Sequence, residues 1–154
     1  KLALKGLNKI IPKDLNIENK ERLINNFDAS ITYSRQIGNI YTGSLYLGLL
    51  SLLEQSQDLK AGDRIGFFSY GSGAVSEIFS GRLVEGYKDM LRSDRLDIFA
   101  QRHNLSVADY EKLFYEEAQL DDTGSTQFAT YQTGPFRLTE ISEHQRIYKG
   151  NQND

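Results

Sequence analysis

Residues 62–87 read GDRIGFFSYGSGAVSEIFSGRLVEGY, and the fold is decided here. Arg64-Ile65-Gly66-Phe67-Phe68 is a β-branched and aromatic run long enough for a strand. It breaks at Tyr70-Gly71-Ser72-Gly73-Ala74 and resumes through Val75, Ile78, Phe79, Leu83 and Val84. Two adjacent strands, over 64–70 and 75–84, joined by a four-residue Gly-Ser-Gly-Ala turn are expected. Gly71 and Gly73 leave the main chain uncovered, so a ligand can approach the backbone and the Ser72 hydroxyl closely. The plainer reading of the same glycines is an ordinary hairpin turn that uses positive φ.

On the amino-terminal side, Leu2, Leu4, Leu7, Ile10 and Ile11 recur at helical spacing until Pro12 stops them. No Ser, Thr, Asp or Asn precedes this helix, and a piece of a longer polypeptide is the expectation. Lys1, Lys5, Lys9 and Lys13 stand four residues apart, which places them along one face with no acid before Asp14. Such a row is either a solvated face or a docking strip for the phosphates of a ligand. Residues 19–36 carry Leu23, Ile24, Phe27 and Ile31 on one amphipathic face, with Gly38 as terminator. Leu45, Leu47, Leu49, Leu50, Leu52 and Leu53 then cover most of a helix circumference, predicting a buried helix over 45–53. Asn39, Thr42 and Ser44 cluster at its start. Backbone N–H groups lack partners there, and such an end either caps itself or holds a carbonyl or phosphate oxygen.

Beyond the two strands, 87–102 reads as one or two short helices. Ser106 with Asp109 forms a capping signature, with Leu105 and Tyr110 as its hydrophobic staple, for a helix running to about residue 118. Residues 121–126 form a polar loop. Terminal strands are expected at 136–138 with Ile141, and at 146–148, around a turn at 142–144, before a frayed end over 150–154. No repeat, low-complexity segment or linker interrupts the chain, so 1–154 is read as one stretch without an internal boundary.

Composition excludes several function classes. The 154 residues, 39% of them hydrophobic, suit one globular domain or half of a larger one. A net charge of −3 supplies no global field for nucleic acid or an anionic membrane. With no cysteine there is no disulfide, thiolate metal site or cysteine nucleophile in these residues. The longest apolar run, 45–53, is too short to span a bilayer, and a cytoplasmic location is expected. His103 and His144 stand 41 positions apart without metal-ligand companions and are read as surface histidines, with no metal site expected. P-loop, H-E-x-x-H and G-x-S-x-G patterns are absent. Glu77 and Glu85 are read as solvated, or paired with Arg64 or Arg82.

Three blocks in order carry a resemblance: 38–47 (GNIYTGSLYL), 68–74 (FSYGSGA) and 83–87 (LVEGY). Together they resemble the carboxy-terminal part of the 3-hydroxy-3-methylglutaryl-CoA synthases, the bacterial form above all. The similarity covers nearly the whole chain and is strongest over 38–87. It implies an α/β fold: the C-terminal half of a thiolase-like fold, a mixed sheet packed with helices and truncated on its N-terminal side. It also implies an acyltransferase of the mevalonate (isoprenoid) pathway, which condenses acetyl-CoA with acetoacetyl-CoA. CoA thioesters are then substrates, with no tightly bound cofactor, and the intact protein is a homodimer that includes the amino-terminal half of the same polypeptide.

In that family a cysteine nucleophile, a glutamate acid–base group and a histidine carry the chemistry. The histidine belongs to an H-x-P-F-x-K segment whose last residue corresponds to Lys1, so all three fall outside these residues and the isolated chain is expected to be inactive. By the same resemblance Lys1 and Lys5 match lysines that contact coenzyme A. Asn39 matches an asparagine beside the acyl thioester, and Ser72 a serine bonded to the hydroxymethylglutaryl group, with Gly71 and Gly73 allowing close approach. Lys9 and Lys13 take no role from it and are read as surface charges. Tyr41 and Tyr70 are candidates for the pocket wall or for core packing. The competing readings are another thiolase-like acyl-CoA condensing enzyme and a noncatalytic α/β binding module.

Overall fold

The computed structural model describes residues 2–92, 94–116, 118–128 and 136–150. Lys1, the Ser72 side chain and residues 151–154 of the expected frayed end lie outside the described part. The chain forms two units, 1–93 and 94–154, described separately.

The first unit begins with helix α1 (Leu2–Ile10). It ends before Pro12, whose missing N–H cannot continue the ladder, and the chain turns through Leu15 N–H to Pro12 C=O at 3.2 Å. Helix α2 (Ile17–Ile37) starts on Asn16, whose side chain accepts the Asn19 N–H at 2.8 Å. It stops at Gly38, where φ is 88° and the N–H reaches Ser34 C=O at 2.8 Å. Helix α3 (Gly43–Gln55) returns antiparallel to α2. Paired contacts track that direction: Ser51 meets Ala29, and Ser56 Oγ meets Asn26 at 2.7 Å.

The centre of this unit is small. Tyr33, Ser51, Leu52 and Leu59 are buried. The leucine-rich helix is covered rather than enclosed: its leucines other than Leu52 are half-buried, and Tyr46 is 63% exposed. Tyr33 Oη donates to the Glu54 carboxylate at 2.5 Å and accepts from Gln55 Nε2 at 3.2 Å. Burial of the phenol is thereby matched by polar partners.

Strands β1 (Arg64–Tyr70) and β2 (Ser76–Arg82) form an antiparallel hairpin. In β1 the side chains alternate, with Ile65, Phe67 and Ser69 half-buried and Arg64, Gly66, Phe68 and Tyr70 exposed. Phe67 opposes Phe79, and their rings stack 4.8 Å apart. The turn is a 3-10 turn over Ser72–Ala74, closed by Gly71 N–H to Val75 C=O at 3.0 Å. Gly73 takes φ 80°, as a hairpin turn asks of glycine, but Gly71 is extended at φ −130° and left-handed geometry passes instead to Ala74 at 57°. Arg22 on α2 bonds Asp63 at 2.8 Å, fixing the start of β1. Glu77 and Glu85 are exposed; Arg64 bonds Ser80 and Arg82 bonds Gly62 C=O.

The second unit holds α4 (Arg95–Ala100) and α5 (Val107–Tyr115). Ser106 caps α5 by accepting the Asp109 N–H at 3.1 Å while donating to the Asp109 carboxylate at 2.7 Å. Strands β3 (Thr126–Gln127), β4 (Phe136–Ser142) and β5 (Gln145–Gly150) form an antiparallel sheet in that order. β4 and β5 meet through Glu143 and His144, both at positive φ (48° and 64°), the geometry of a two-residue hairpin loop. β3 lies partly inside the expected polar loop, and its pairing with Ile141 and Glu140 is set by the sheet rather than by its own composition. His103 and His144 are both exposed.

Candidate functional site

A cleft of about 450 Å³ lies between α1 and the hairpin, lined by Lys5, Gly6, Lys9, Phe68, Tyr70 and Ser76. Two periodicities build it. Lys5 and Lys9 are one helical turn apart and share a face of α1. Phe68 and Tyr70 are two residues apart and share the exposed face of β1. Ser76 is the Cα partner of Tyr70 in the β1–β2 register, which places its hydroxyl at the same end of the hairpin. Lys13 does not join the strip: it lies in the turn after Pro12, beyond the end of α1.

Charge in the cleft is one-sided. α1 contains no acidic residue, and among the described residues neither Lys5 nor Lys9 has a carboxylate partner. Two exposed lysines sharing a cleft with aromatic side chains suit a ligand with anionic groups and an apolar portion. Tyr70 is 58% exposed within these residues and lines the cleft.

The second cluster is the loop between α2 and α3. Asn39 Oδ1 accepts the Tyr41 N–H at 2.9 Å and the Ser44 hydroxyl at 3.1 Å, while Ser44 Oγ accepts the Ile40 N–H at 2.9 Å. The loop caps itself through Asn39 and Ser44, and Thr42, at the formal cap position, makes no side-chain cap bond. The Asn39 side chain is exposed; its oxygen is committed to the loop, and among the described residues no partner takes its NH₂. Tyr41 stands at φ 56° and is 87% exposed within these residues.

Gly71 and Gly73 present open main chain: a Cβ at either would meet no atom of the described residues within 4 Å. Neither these glycines nor Asn39 nor Tyr41 lines the cleft, so the structure joins Lys5 with Tyr70 and leaves the Asn39 loop separate. Lys9, read from the resemblance as a surface charge, lines the cleft, and Phe68 and Ser76 join it without having been singled out. The alternation of 64–70 was the available signal for Phe68, and the four-residue lysine spacing for Lys9.

In the second unit a cavity of about 410 Å³ is lined in part by Asp121, Ser125 and Glu140. Asp121 and Ser125 are tied up within the loop and its hairpin. Asp121 Oδ1 accepts the Thr123 hydroxyl at 2.6 Å and the N–H groups of Thr123 and Ser125, and these bonds, the hydroxyl first, hold the carboxyl below the usual range. Among the described residues no cluster of three or more His, Cys, Asp or Glu is placed to bind a metal. No helix among them is long and apolar enough to cross a membrane.

Comparison with known proteins gives the family. The chain is 52% identical over 103 residues to hydroxymethylglutaryl-CoA synthase of Enterococcus faecalis, an alignment covering 66% of the chain and 27% of that protein. A crystal structure of HMG-CoA synthase complexed with CoA superposes with TM-score 0.82 and 64% identity, covering 97% of this chain and 38% of that one. The curacin biosynthetic HMG synthase, solved with an apo donor-ACP, superposes at 0.62 with 27% identity over 90% of this chain and 37% of its own. The 154 residues thus span well under half the length of these relatives. The fold is that of the corresponding part of these thiolase-like synthases. The family model for the C-terminal part of hydroxymethylglutaryl-coenzyme A synthase matches residues 5–149, and the chain belongs to that family.

Proposed function

We propose that these residues are the CoA- and acyl-binding portion of a hydroxymethylglutaryl-CoA synthase. In the longer polypeptide the reaction condenses acetyl-CoA with acetoacetyl-CoA to 3-hydroxy-3-methylglutaryl-CoA and CoA, in the cytoplasm and on the route to isoprenoids. The observation that carries the reading is the Lys5 cleft, lying inside the segment that matches the family and facing solvent with uncompensated positive charge. In this reading Lys1 and Lys5 neutralise CoA phosphates. Asn39 donates its free amide to the acyl carbonyl, where negative charge develops as the new bond forms. Ser72, on its open glycine-flanked turn, bonds the hydroxymethylglutaryl group, and Tyr41 and Tyr70 line the substrate path.

These residues contain no cysteine, so the nucleophile that takes the acetyl group comes from the remainder of the polypeptide, together with the family's glutamate and histidine. That remainder and a second copy are the proposed partners. Transfer from a CoA thioester, rather than from an acyl carrier protein, is favoured by the higher identity to the CoA-bound relative, 64% against 27%.

The test is CoA release by the full-length polypeptide supplied with acetyl-CoA and acetoacetyl-CoA, with the product identified by mass. Saturable condensation is expected from it and none from the 154-residue chain alone. Condensation by the chain alone, or another product from the full-length protein, overturns the reading.

A further inference from the structure

α1 carries a glycine between its two cleft lysines that the fold does not require. Gly6 sits in the helix interior outside the left-handed region, and a Cβ built on it meets no atom of the described residues within 4 Å. Among the described residues neither packing, turn geometry nor a close helix contact requires it, while glycine weakens a helix interior. What the missing side chain does provide is a bare stretch of main chain on the cleft wall between Lys5 and Lys9. The lysines are themselves a cost: two like charges one turn apart repel, and α1 has no acid to offset them. Each unfavourable feature of the free helix becomes favourable when an anion with bulk lies along it. Opposite stand the rings of Phe68 and Tyr70 and the Ser76 hydroxyl, a wall with apolar area and one neutral hydrogen-bonding group.

We propose that Lys9 acts with Lys5 as a two-point clamp on the phosphate-bearing nucleotide end of a CoA thioester, laid along Gly6 against Phe68 and Tyr70. This rests on the proposed function and assigns to that site the part of the substrate it grips. Lys9 binds and positions; it takes no part in bond making.

The experiment uses the full-length polypeptide and two probes. The first is the ratio of kcat/KM for acetoacetyl-CoA to that for the acetoacetyl thioester of N-acetylcysteamine, which has no phosphates. Lys9→Ala should lower this ratio about tenfold, with the loss in KM, and Lys9→Arg should restore most of it. The second probe is adenosine 3′,5′-bisphosphate as an inhibitor competing with acetoacetyl-CoA. Its inhibition constant should rise about tenfold in Lys9→Ala, and also in Gly6→Leu, which suits a helix better than glycine but fills the cleft. An unchanged ratio in Lys9→Ala, or unchanged inhibition in both variants, overturns the clamp. A wild-type protein that binds the bisphosphate through Lys9 yet condenses neither thioester keeps the clamp and overturns the reaction. One that condenses both while the variants behave as wild type does the reverse.

Discussion

Ser51 on α3 grips the main chain of α2 at Tyr33: its hydroxyl accepts the Tyr33 N–H at 3.2 Å and donates to Ala29 C=O at 2.6 Å. These two main-chain groups stand four residues apart, the spacing of α2's own ladder, so a single small side chain docks one helix onto another's hydrogen bonds. Ser51 is fully buried, and Gly48 one turn earlier lies near Ser30 C=O, which lets the helices approach there. Ser51→Ala should cost about 1 kcal/mol, because the two freed groups can satisfy each other. Ser51→Leu should cost at least about 1–3 kcal/mol by forcing the helices apart. Urea unfolding of the two variants checks the order; equal losses would remove the close-approach argument.

Gly124 and His144 are similarly coupled across the second unit. Gly124 sits at φ 75°, and a Cβ there would stand 2.4 Å from His144 Nε2. Gly124→Ala therefore carries a backbone penalty of about 1–2 kcal/mol together with a displaced imidazole. His144→Ala in the same chain should recover only the steric part. Full recovery in the double variant, measured by thermal unfolding, would show that φ carries no strain.

Asp63 sets a pH dependence in the first unit. The Lys60 N–H, bonded at 3.1 Å, and the Arg22 guanidinium at 2.8 Å hold its carboxyl below the ordinary 3.8. A depressed folded-state pKa means that the contribution is present above the unfolded value and is lost as pH falls through the folded one. Acid unfolding monitored below about pH 4 should thus be shallower for Asp63→Asn than for wild type, with the two curves converging at the acid end. Parallel curves throughout would disprove the linkage.

How much of this was legible in the residues depended on whether local pattern or distant pairing set the outcome. The strand over Arg64–Tyr70 was legible because β-branched and aromatic residues fill both of its faces, and its partner followed from the glycine turn. The cap at Ser106 was legible because it is decided within four residues. β3 was not: Thr126–Gln127 is too short to show a period, and it becomes a strand only by pairing with Ile141 and Glu140. In the candidate site, Lys5 with Tyr70 depended on α1 and the hairpin lining one cleft, a placement invisible in spacing. The lysine strip was over-read at Lys13, because a four-residue interval means a shared face only while the helix lasts, and Pro12 ends it.

Lys5 should act on binding more than on turnover. It is an exposed cation on the cleft wall, so Lys5→Ala in the full-length polypeptide should raise KM for CoA thioesters with kcat largely kept. The wild-type KM should rise with ionic strength, and the variant's should rise less, since screening has one fewer charge to act on. Equal salt slopes would remove Lys5 from the phosphate contact.

Asn39 should show the opposite split. Its oxygen is spent on the Tyr41 N–H and the Ser44 hydroxyl, which hold the side chain in one orientation and leave the amide NH₂ uncommitted among the described residues. A donor fixed in advance contributes most where charge appears only in the transition state, because it does not have to reorient when the carbonyl oxygen becomes negative. Asn39→Ala should therefore lower kcat on the order of a hundredfold with a small change in KM. Ser72→Ala should fall in the same direction if its hydroxyl serves the acyl group, and by less if the bond is already made in the bound substrate. Asn39→Asp separates the two duties of the side chain: it preserves the acceptor for Tyr41 and Ser44 while replacing the donor with negative charge. The loop should then keep its shape, as judged by unchanged thermal unfolding, while kcat falls at least as far as in Asn39→Ala. Normal turnover in Asn39→Asp would reduce Asn39 to the cap of its own loop.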